Sequence, residues 1–382
     1  MIRIAHVISG LETGGAELFL ERLVHLLKGG EFEHHVVSMR TVGPGGERLR
    51  QSGVRVDALQ SRMSLALPIG LFKLGRLLRS SRPDLVQGWL YHGNMGAWAG
   101  LRVSRLQRPL LWNVRHSLDG WSEESWPLRA GVRFSGWLAG APGRIIFNSA
   151  RSARQHERLG YPRAKACVIP NGFELEKFAP DFASRASTRA QLGISADELV
   201  LGMIGRYHPL KDHTNFLHAA RMILDKHPDA RFLLAGRQVT VENHALMSQV
   251  SELQLQDRIM LLGERADVPD LLNTMDIYVS SSSSEAFPNA VGEAMSCGIP
   301  CVVTDAGDSA ELVADTGIVV PPKSPERLAD GILQLIRAGA DRRRQLGAAA
   351  RERIRLNYSN EKIAQRYADL YRSVYESAKS VR

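Results

Sequence analysis

The sequence predicts an α/β protein with two parallel-sheet domains in succession. Three observations lead there. Short apolar runs alternate with amphipathic stretches of helical period along most of the chain. The alternation restarts after Asn171. The 382 residues exceed the length at which one core usually stops growing.

In the first half, Ile2 to Ser9 reads as a buried strand, followed by a Gly-rich turn and a helix from about Gly15 to Lys28. That is a strand, phosphate-type turn and helix in the order of a nucleotide-binding βα unit. His34 to Ser38 is the next strand, and Gly43-Pro44-Gly45-Gly46 reads as a loop. Asp84 to Gln87, Leu110 to Val114 and Arg144 to Phe147 continue the strand series. Two amphipathic helices are expected at Pro68 to Leu78, with Leu67, Leu71, Leu74 and Leu78 on one face, and at Pro127 to Leu138. Their plainer interpretation is packing on the first sheet; the alternative is docking on an anionic bilayer.

In the second half, Leu199 to Ile204, Arg231 to Ala235, Arg258 to Leu262, Asp276 to Ser280 and Pro300 to Thr304 are five apolar runs between helical stretches. Strands of this kind build a parallel sheet covered on both faces. Ala179 to Ser187 lacks apolar periodicity and reads as the linker, which sets the domains at 1–180 and 181–359. The final segment, 360–382, is helical, with Ile363, Tyr367, Leu370, Tyr371 and Val374 on one face.

Residues 1–180 carry 25 Lys and Arg against 14 Asp and Glu, whereas 181–382 carry 24 against 26. The basic excess therefore belongs to the first half. It is densest from Arg62 to Lys165, with 17 basic and 5 acidic residues among six tryptophans. Such a surface suits nucleic acid, an anionic membrane or an acidic acceptor. Three cysteines give no disulfide framework, and Cys297 and Cys301 are expected in the core. No apolar run has the length of a membrane span, and the start lacks a secretory pattern, so a cytoplasmic protein is expected.

The most informative stretch runs from Ser281 to Pro300. It places Glu285 in a loop, Pro288 as the expected first helical residue, Glu293 in the second helical turn and Gly298 as the helix stop. A loop carboxylate beside a helix N-terminus pairs an acceptor for sugar hydroxyls with amides and a dipole end suited to phosphate. The two acids are thus expected to bracket one ligand. Arg206 and Lys211 follow a strand of the second sheet, at the carboxyl edge where ligands bind in open α/β folds. Gly14 and Gly15 let backbone approach a ligand closely, but the Gly-x-Gly-x-x-Gly spacing of an NAD site is absent. His208 and His213 invite a metal interpretation that Lys211 between them opposes.

Glu285 and Glu293, Gly14-Gly15-Ala16-Glu17, Pro170-Asn171-Gly172 and Gly205-Arg206-Tyr207-His208-Pro209-Leu210-Lys211 together resemble the retaining glycosyltransferases of family 4. The resemblance covers nearly the whole chain. It implies the GT-B fold: two facing Rossmann-like domains with a donor cleft between them and a last helix crossing back to the first domain. By the same resemblance, Arg206 and Lys211 serve the donor diphosphate, and Glu285 the hydroxyls of the donor sugar. The stretch Phe287, Pro288, Asn289 and Ala290 lies near sugar and phosphate, Glu293 serves the ribose, and Arg265 is a candidate near the base. His116 matches a first-domain histidine that touches the donor sugar, with Arg115 as an alternative acceptor or phosphate contact. The sequence has no Asp-x-Asp pair of the kind that holds a divalent ion on a diphosphate, and the charges of Arg206 and Lys211 can replace such an ion. The implied activity is metal-independent, cofactor-free, retaining transfer from a nucleotide-sugar, UDP-linked before GDP-linked. The acceptor is a saccharide or lipid-linked, at the inner face of the cytoplasmic membrane, with residues 62–165 as a possible membrane contact. A nucleotide-sugar epimerase of the same fold is the main alternative. A phosphorylase would need a pyridoxal lysine and a longer chain, and a nucleic-acid binder lacks any common module.

Overall fold

The computed structural model describes residues 1–12, 14–60, 67–119, 121 and 125–380; Arg62 and the Leu67 side chain lie outside the described residues. The chain divides into unit 1, Met1–Gly172 with Asn360–Arg382, and unit 2, Phe173–Ser359.

Unit 1 alternates strand and helix: β1 (Ile2–Ile8), α1 (Gly15–Leu27), β2 (Phe32–Ser38), α2 (Gly43–Gln51), β3 (Arg55–Ala58), α3 (Leu67–Ser81), β4 (Leu85–Trp89), α4 (Leu90–Ser104), β5 (Leu110–Val114), α5 (Trp126–Leu138), β6 (Arg144–Phe147), α6 (Ala150–Glu157) and β7 (Ala166–Val168). The sheet order is β3-β2-β1-β4-β5-β6-β7, all parallel. The order reverses between β1 and β4, which makes the crevice at their carboxyl ends the natural place for a ligand. One face is buried under α1, with Phe19, Leu20, Leu23 and Val24. The other is buried by α3, α4 and α5 through Leu74, Leu78, Ala97, Leu101, Val132 and Leu138.

Unit 2 contains α7 (Phe182–Gln191), β8 (Val200–Ile204), α8 (His213–Leu224), β9 (Arg231–Ala235), α9 (His244–Glu252), β10 (Ile259–Leu261), α10 (Val268–Thr274), β11 (Ile277–Ser280), α11 (Asn289–Ser296), β12 (Cys301–Thr304), α12 (Ser309–Val313), β13 (Ile318–Val320), α13 (Pro325–Arg337) and α14 (Gly339–Asn357). Its six parallel strands run β10-β9-β8-β11-β12-β13, with the reversal between β8 and β11.

The last helix, α15 (Asn360–Ser380), belongs to unit 1. Ile363, Tyr367 and Tyr371 are buried in the unit 1 core, and Leu370 and Val374 pack against it, the face expected from the spacing. Two hydrogen bonds fix its rotation. Asn113 Nδ2 donates to Tyr367 Oη at 2.8 Å, and Tyr371 Oη donates to Gln87 Oε1 at 2.6 Å.

Several expectations need correction. The stretch expected to be a linker is largely helix α7. Asp181 caps it by accepting from Ser184 N at 2.8 Å, and Arg185 and Arg189 pin it to Asp276 at 2.7 and 2.9 Å. Arginine anchors leave no apolar period to read. The division falls after Gly172 rather than at 180, because Phe173 is buried against Phe287 and its N–H donates to Tyr358 O at 2.9 Å. Gly43 to Gly46 is not a loop but the first turn of α2, where Gly43 takes φ +61 and a Cβ would lie 2.5 Å from Leu11 O. The short strands β3, β7 and β13 carry too few residues to show a period. Trp89 and Trp112 are core residues, so only part of the tryptophan set lies on a surface.

Candidate functional site

In unit 2 the segment after β8 and the segment after β11 lie on adjacent strands and are stitched together. Ser283 N donates to Leu210 O at 2.9 Å, and Ser281 Oγ donates to the carbonyls of Lys211 and Asp212, both at 2.9 Å. The stitching brings two of the expected site residues into contact. Lys211 Nζ lies 2.5 Å from Glu285 Oε1, and Ser282 Oγ donates to the same oxygen at 2.7 Å. Among the described residues Glu285 Oε2 makes no hydrogen bond, and the side chain is 12% exposed. The carboxylate is thus oriented through one oxygen with the other available. Gly307, at φ +58, backs this loop so closely that a Cβ would overlap the Glu285 carbonyl. Ser282 and Gly307 were not singled out from sequence. The only signal for Gly307 is a glycine in a polar Asp-Ala-Gly-Asp turn.

Helix α11 begins at Asn289, and Pro288 precedes it as the cap residue instead of occupying the first helical position. With φ −82 and ψ 75, Pro288 closes an inverse γ-turn in which Asn289 N–H donates to Phe287 O at 3.0 Å. That amide is therefore spent, and the first-turn donors left by helix geometry are those of Ala290 and Val291. Phe287 and Pro288 are buried and shape the turn rather than present side chains. Glu293 is half-buried on the second turn. Its carboxylate and that of Glu285 both raise the pKa of the Tyr278 phenol, which burial already pushes well up. Both acids therefore lie near enough to Tyr278 to act on one buried group. Gly298, at φ +73, ends the helix as expected.

Arg206 is exposed and makes no side-chain hydrogen bond or ion pair among the described residues. Arg265 is held by a forked pair with Asp267, at 2.8 and 2.5 Å, on the loop after the edge strand β10. The two histidines near Lys211 are structural: His208 Nδ1 accepts from Leu210 N at 3.2 Å, and His213 is buried, its pKa lowered to about 4 by burial and then by Lys211. Among the described residues no three of His, Cys, Asp and Glu converge as metal ligands.

In unit 1, Gly14 caps α1 and Gly15 begins it. A Cβ on Gly15 would meet open space, whereas one on Gly14 would overlap the Glu17 carboxylate, so the need for glycine at 14 is already met inside the helix turn. His116 follows β5, half-buried. Arg115 is committed elsewhere, which corrects its assignment to a ligand. Its guanidinium stacks 3.8 Å from the Phe19 ring centroid, donates to Asn113 and Tyr367 at 3.4 Å, and donates to Asn171 of the Pro-Asn-Gly turn.

Residues 184–353 match the family model for glycosyl transferases group 1, and residues 13–177 the model for glycosyltransferase family 4. An Escherichia coli UDP-Gal:alpha-D-GlcNAc-diphosphoundecaprenol alpha-1,3-galactosyltransferase is 30% identical over 317 residues, 80% of this chain and 79% of its own length. The chain belongs to glycosyltransferase family 4. A second relative of the glycosyltransferase, the N,N'-diacetylbacillosaminyl-diphospho-undecaprenol alpha-1,3-N-acetylgalactosaminyltransferase of Campylobacter jejuni, is 31% identical over 240 residues, 61% of each chain. The solved structure of Anabaena HepE in complex with UDP and glucose aligns with a TM-score of 0.83 over 98% of this chain and all of that one, at 24% identity. That likeness gives the fold, and the two-domain GT-B architecture expected from sequence is the architecture of this glycosyltransferase. Among the described residues no helix is long and apolar enough to cross a membrane.

Proposed function

We propose that this glycosyltransferase moves a sugar, with retention of anomeric configuration, from a UDP-sugar to a lipid-linked saccharide during envelope glycan synthesis at the inner face of the cytoplasmic membrane. The observation that carries the donor assignment is the Glu285 carboxylate, fixed by Lys211 and Ser282 through Oε1 at the switch point of the second sheet. Oε2 is then the acceptor for donor-sugar hydroxyls, and the Ala290 and Val291 amides at the α11 N-terminus receive phosphate oxygens. Arg206 and Lys211 balance the diphosphate charge that grows as the bond from the anomeric carbon to the phosphate oxygen breaks, which stabilises the transition state beyond the ground state. With two cations in that role the reaction proceeds without a divalent ion. Glu293 takes the ribose hydroxyls, Arg265 lies toward the base, and His116 contacts the sugar. The acceptor oxygen bonds to the anomeric carbon on the face the diphosphate leaves, and the acceptor proton passes to a diphosphate oxygen. The UDP donor and lipid-diphosphate acceptor are supported by the names of the Escherichia coli relative and by the UDP held in the Anabaena structure.

A membrane contact is favoured by a separate feature. On α5 Trp126 and Trp137 are 79% and 78% exposed, with Phe134 and Arg133 also exposed, and on α3 Ile69 and Phe72 are exposed beside Lys73 and Arg76. Both helices cover the same face of the first sheet, so aromatic anchors and basic residues share one side of unit 1.

A thermal-shift screen of UDP-, GDP- and ADP-sugars in EDTA tests the donor side. Stabilisation by UDP-sugars with the chelator present is the expected result. Stabilisation by none, or only after a divalent metal is restored, overturns it.

A further inference from the structure

The loop that carries Glu285 leaves β11 between β8 and β12, and a buried hydroxyl holds it from each side. On the β8 side Ser281 Oγ is bonded to the carbonyls of Lys211 and Asp212. On the other side stands Thr304, the last residue of β12 and fully buried. Its Oγ1 donates to the Ser282 carbonyl at 2.5 Å, with the Ser280 carbonyl farther off at 3.3 Å. Carbonyl oxygens only accept, so the hydroxyl is the donor in both contacts. Ser282 lies beyond the end of β11, and the bond is therefore no part of the strand ladder. Among the described residues no other group donates to that carbonyl. Ser282 passes the constraint on, because its own Oγ donates to Glu285 Oε1 at 2.7 Å. A few residues after Thr304, Gly307 lies against the Glu285 carbonyl, so the segment leaving β12 backs the loop at two places.

We propose that Thr304 is a positioning residue for the transferred sugar: by holding the Ser282 carbonyl it sets the plane of the Glu285 carboxylate and so aims Oε2 at the sugar hydroxyls. The inference rests on the reading of Glu285 as the sugar contact. Two groups meet Glu285 Oε1, and they constrain it differently. The Lys211 ammonium is a compact point charge on a flexible stem, and its attraction survives rotation of the carboxylate. The Ser282 hydroxyl makes a directional bond, which weakens steeply when the angle is lost. Without the Thr304 hydroxyl the Ser282 peptide is free to turn, and its side chain turns with it. The carboxylate then keeps its ion pair with Lys211 but loses the orientation that presents Oε2. Thr304 is thus coupled to the sugar half of the donor, whereas the diphosphate half, served by Arg206, Lys211 and the α11 amides, does not depend on it.

Calorimetric titration of the full chain with UDP, UDP-glucose and UDP-galactose separates the two halves. In Thr304→Val, which keeps the shape and removes the hydroxyl, affinity for the UDP-sugar should fall roughly 5- to 10-fold, the effect of one hydrogen bond, while affinity for UDP stays within about twofold. Thr304→Ser restores the hydroxyl and should restore UDP-sugar binding. An unchanged UDP-sugar affinity in Thr304→Val, an equal loss for UDP and UDP-sugar, or no rescue by serine overturns the proposal. Melting temperatures serve as the folding control. Should Thr304→Val not fold, the wild-type chain labelled with 13C at the threonine methyls carries the test. The Thr304 signal, identified by its loss in Thr304→Ser, is expected to shift more with UDP-sugar than with UDP, and equal shifts overturn the proposal. Glu285→Gln keeps the two failures apart. Full UDP-sugar affinity in that variant would sink the reading of Glu285 and the proposal with it, whereas a loss there with none in Thr304→Val would overturn the role of Thr304 alone.

Discussion

The ammonium of Lys211 lies 2.5 Å from Oε1 of Glu285, so each charge sets the orientation of the other. Replacing either alone leaves the remaining partner half-buried without its counter-charge. Lys211→Met and Glu285→Gln are each expected to lower kcat/KM about 100-fold or more, and the double variant should cost much less than the product of the two. Steady-state transfer rates for the three proteins form a double-mutant cycle. A coupling energy under about 0.5 kcal/mol would show that the pair does not act as a unit.

Gly307→Ala alters no charged group, yet it should impair the same site. The residue sits at φ +58, and its new Cβ would press on the Glu285 carbonyl. Left-handed backbone and the overlap together predict a loss of stability of about 1–3 kcal/mol together with weakened donor binding. Calorimetry and nucleotide-sugar titration check both. Normal donor affinity would mean that the loop holding Glu285 relaxes without moving the carboxylate.

How much of this was legible beforehand differs by cause. The strands β1, β5, β6 and β9 match their apolar runs within a residue or so, because fully buried parallel strands are written as continuous apolar sequence. The acidic and basic positions of unit 2 were readable because they are side chains. What escaped was backbone work: the γ-turn at Pro288 that consumes the Asn289 amide, and the pressure of Gly307 on its neighbour. Arg115 was misjudged for a related reason. An arginine beside a strand end looks like a ligand contact until Asn171, Tyr367 and Phe19 are seen to surround it. Helix α7 was hidden because Arg185 and Arg189, not an apolar stripe, attach it to Asp276.

All six tryptophans lie in unit 1, so their fluorescence reports that unit alone. Tyr371→Phe removes the donor to Gln87 Oε1 in a side chain whose buried Nε2 has no hydrogen-bond partner among the described residues. A loss of about 1–3 kcal/mol is expected, read as a lower urea midpoint by tryptophan fluorescence. No shift in that midpoint would mean that Gln87 finds another partner.

Acid should destabilise unit 1 well before its carboxylates titrate. Burial holds His34 and His156 at about 4, below the ordinary imidazole value of 6.5. The unfolded chain therefore binds more protons between pH 6.5 and 4. The contribution is fully present above 6.5 and is lost as pH falls through that window. Each imidazole can withdraw up to about 3 kcal/mol over the full span. Urea midpoints at pH 7, 6 and 5 should fall in order, and a flat profile would contradict the burial of these rings.

The exposed aromatics of α5 predict binding to vesicles containing an anionic phospholipid such as phosphatidylglycerol. Co-flotation should fall about tenfold in the Trp126→Ser/Trp137→Ser double variant, without loss of melting temperature, and should weaken in high salt. Equal recovery of both proteins with the vesicles would remove these tryptophans from the interface.

Unit 1 is made of the first and the last segments of the chain, and that order matters during biogenesis. Its sheet leaves the ribosome first, but the 21-residue helix α15 that covers Phe19, Phe32 and Gln87 is synthesised only after all of unit 2. The earliest-made domain is therefore the last to be completed. Throughout elongation it carries an open apolar seam where Tyr367 and Tyr371 will dock, a natural holding point for a chaperone. Nascent chains stalled before Asn360 should remain protease-sensitive in unit 1 while unit 2 is already resistant.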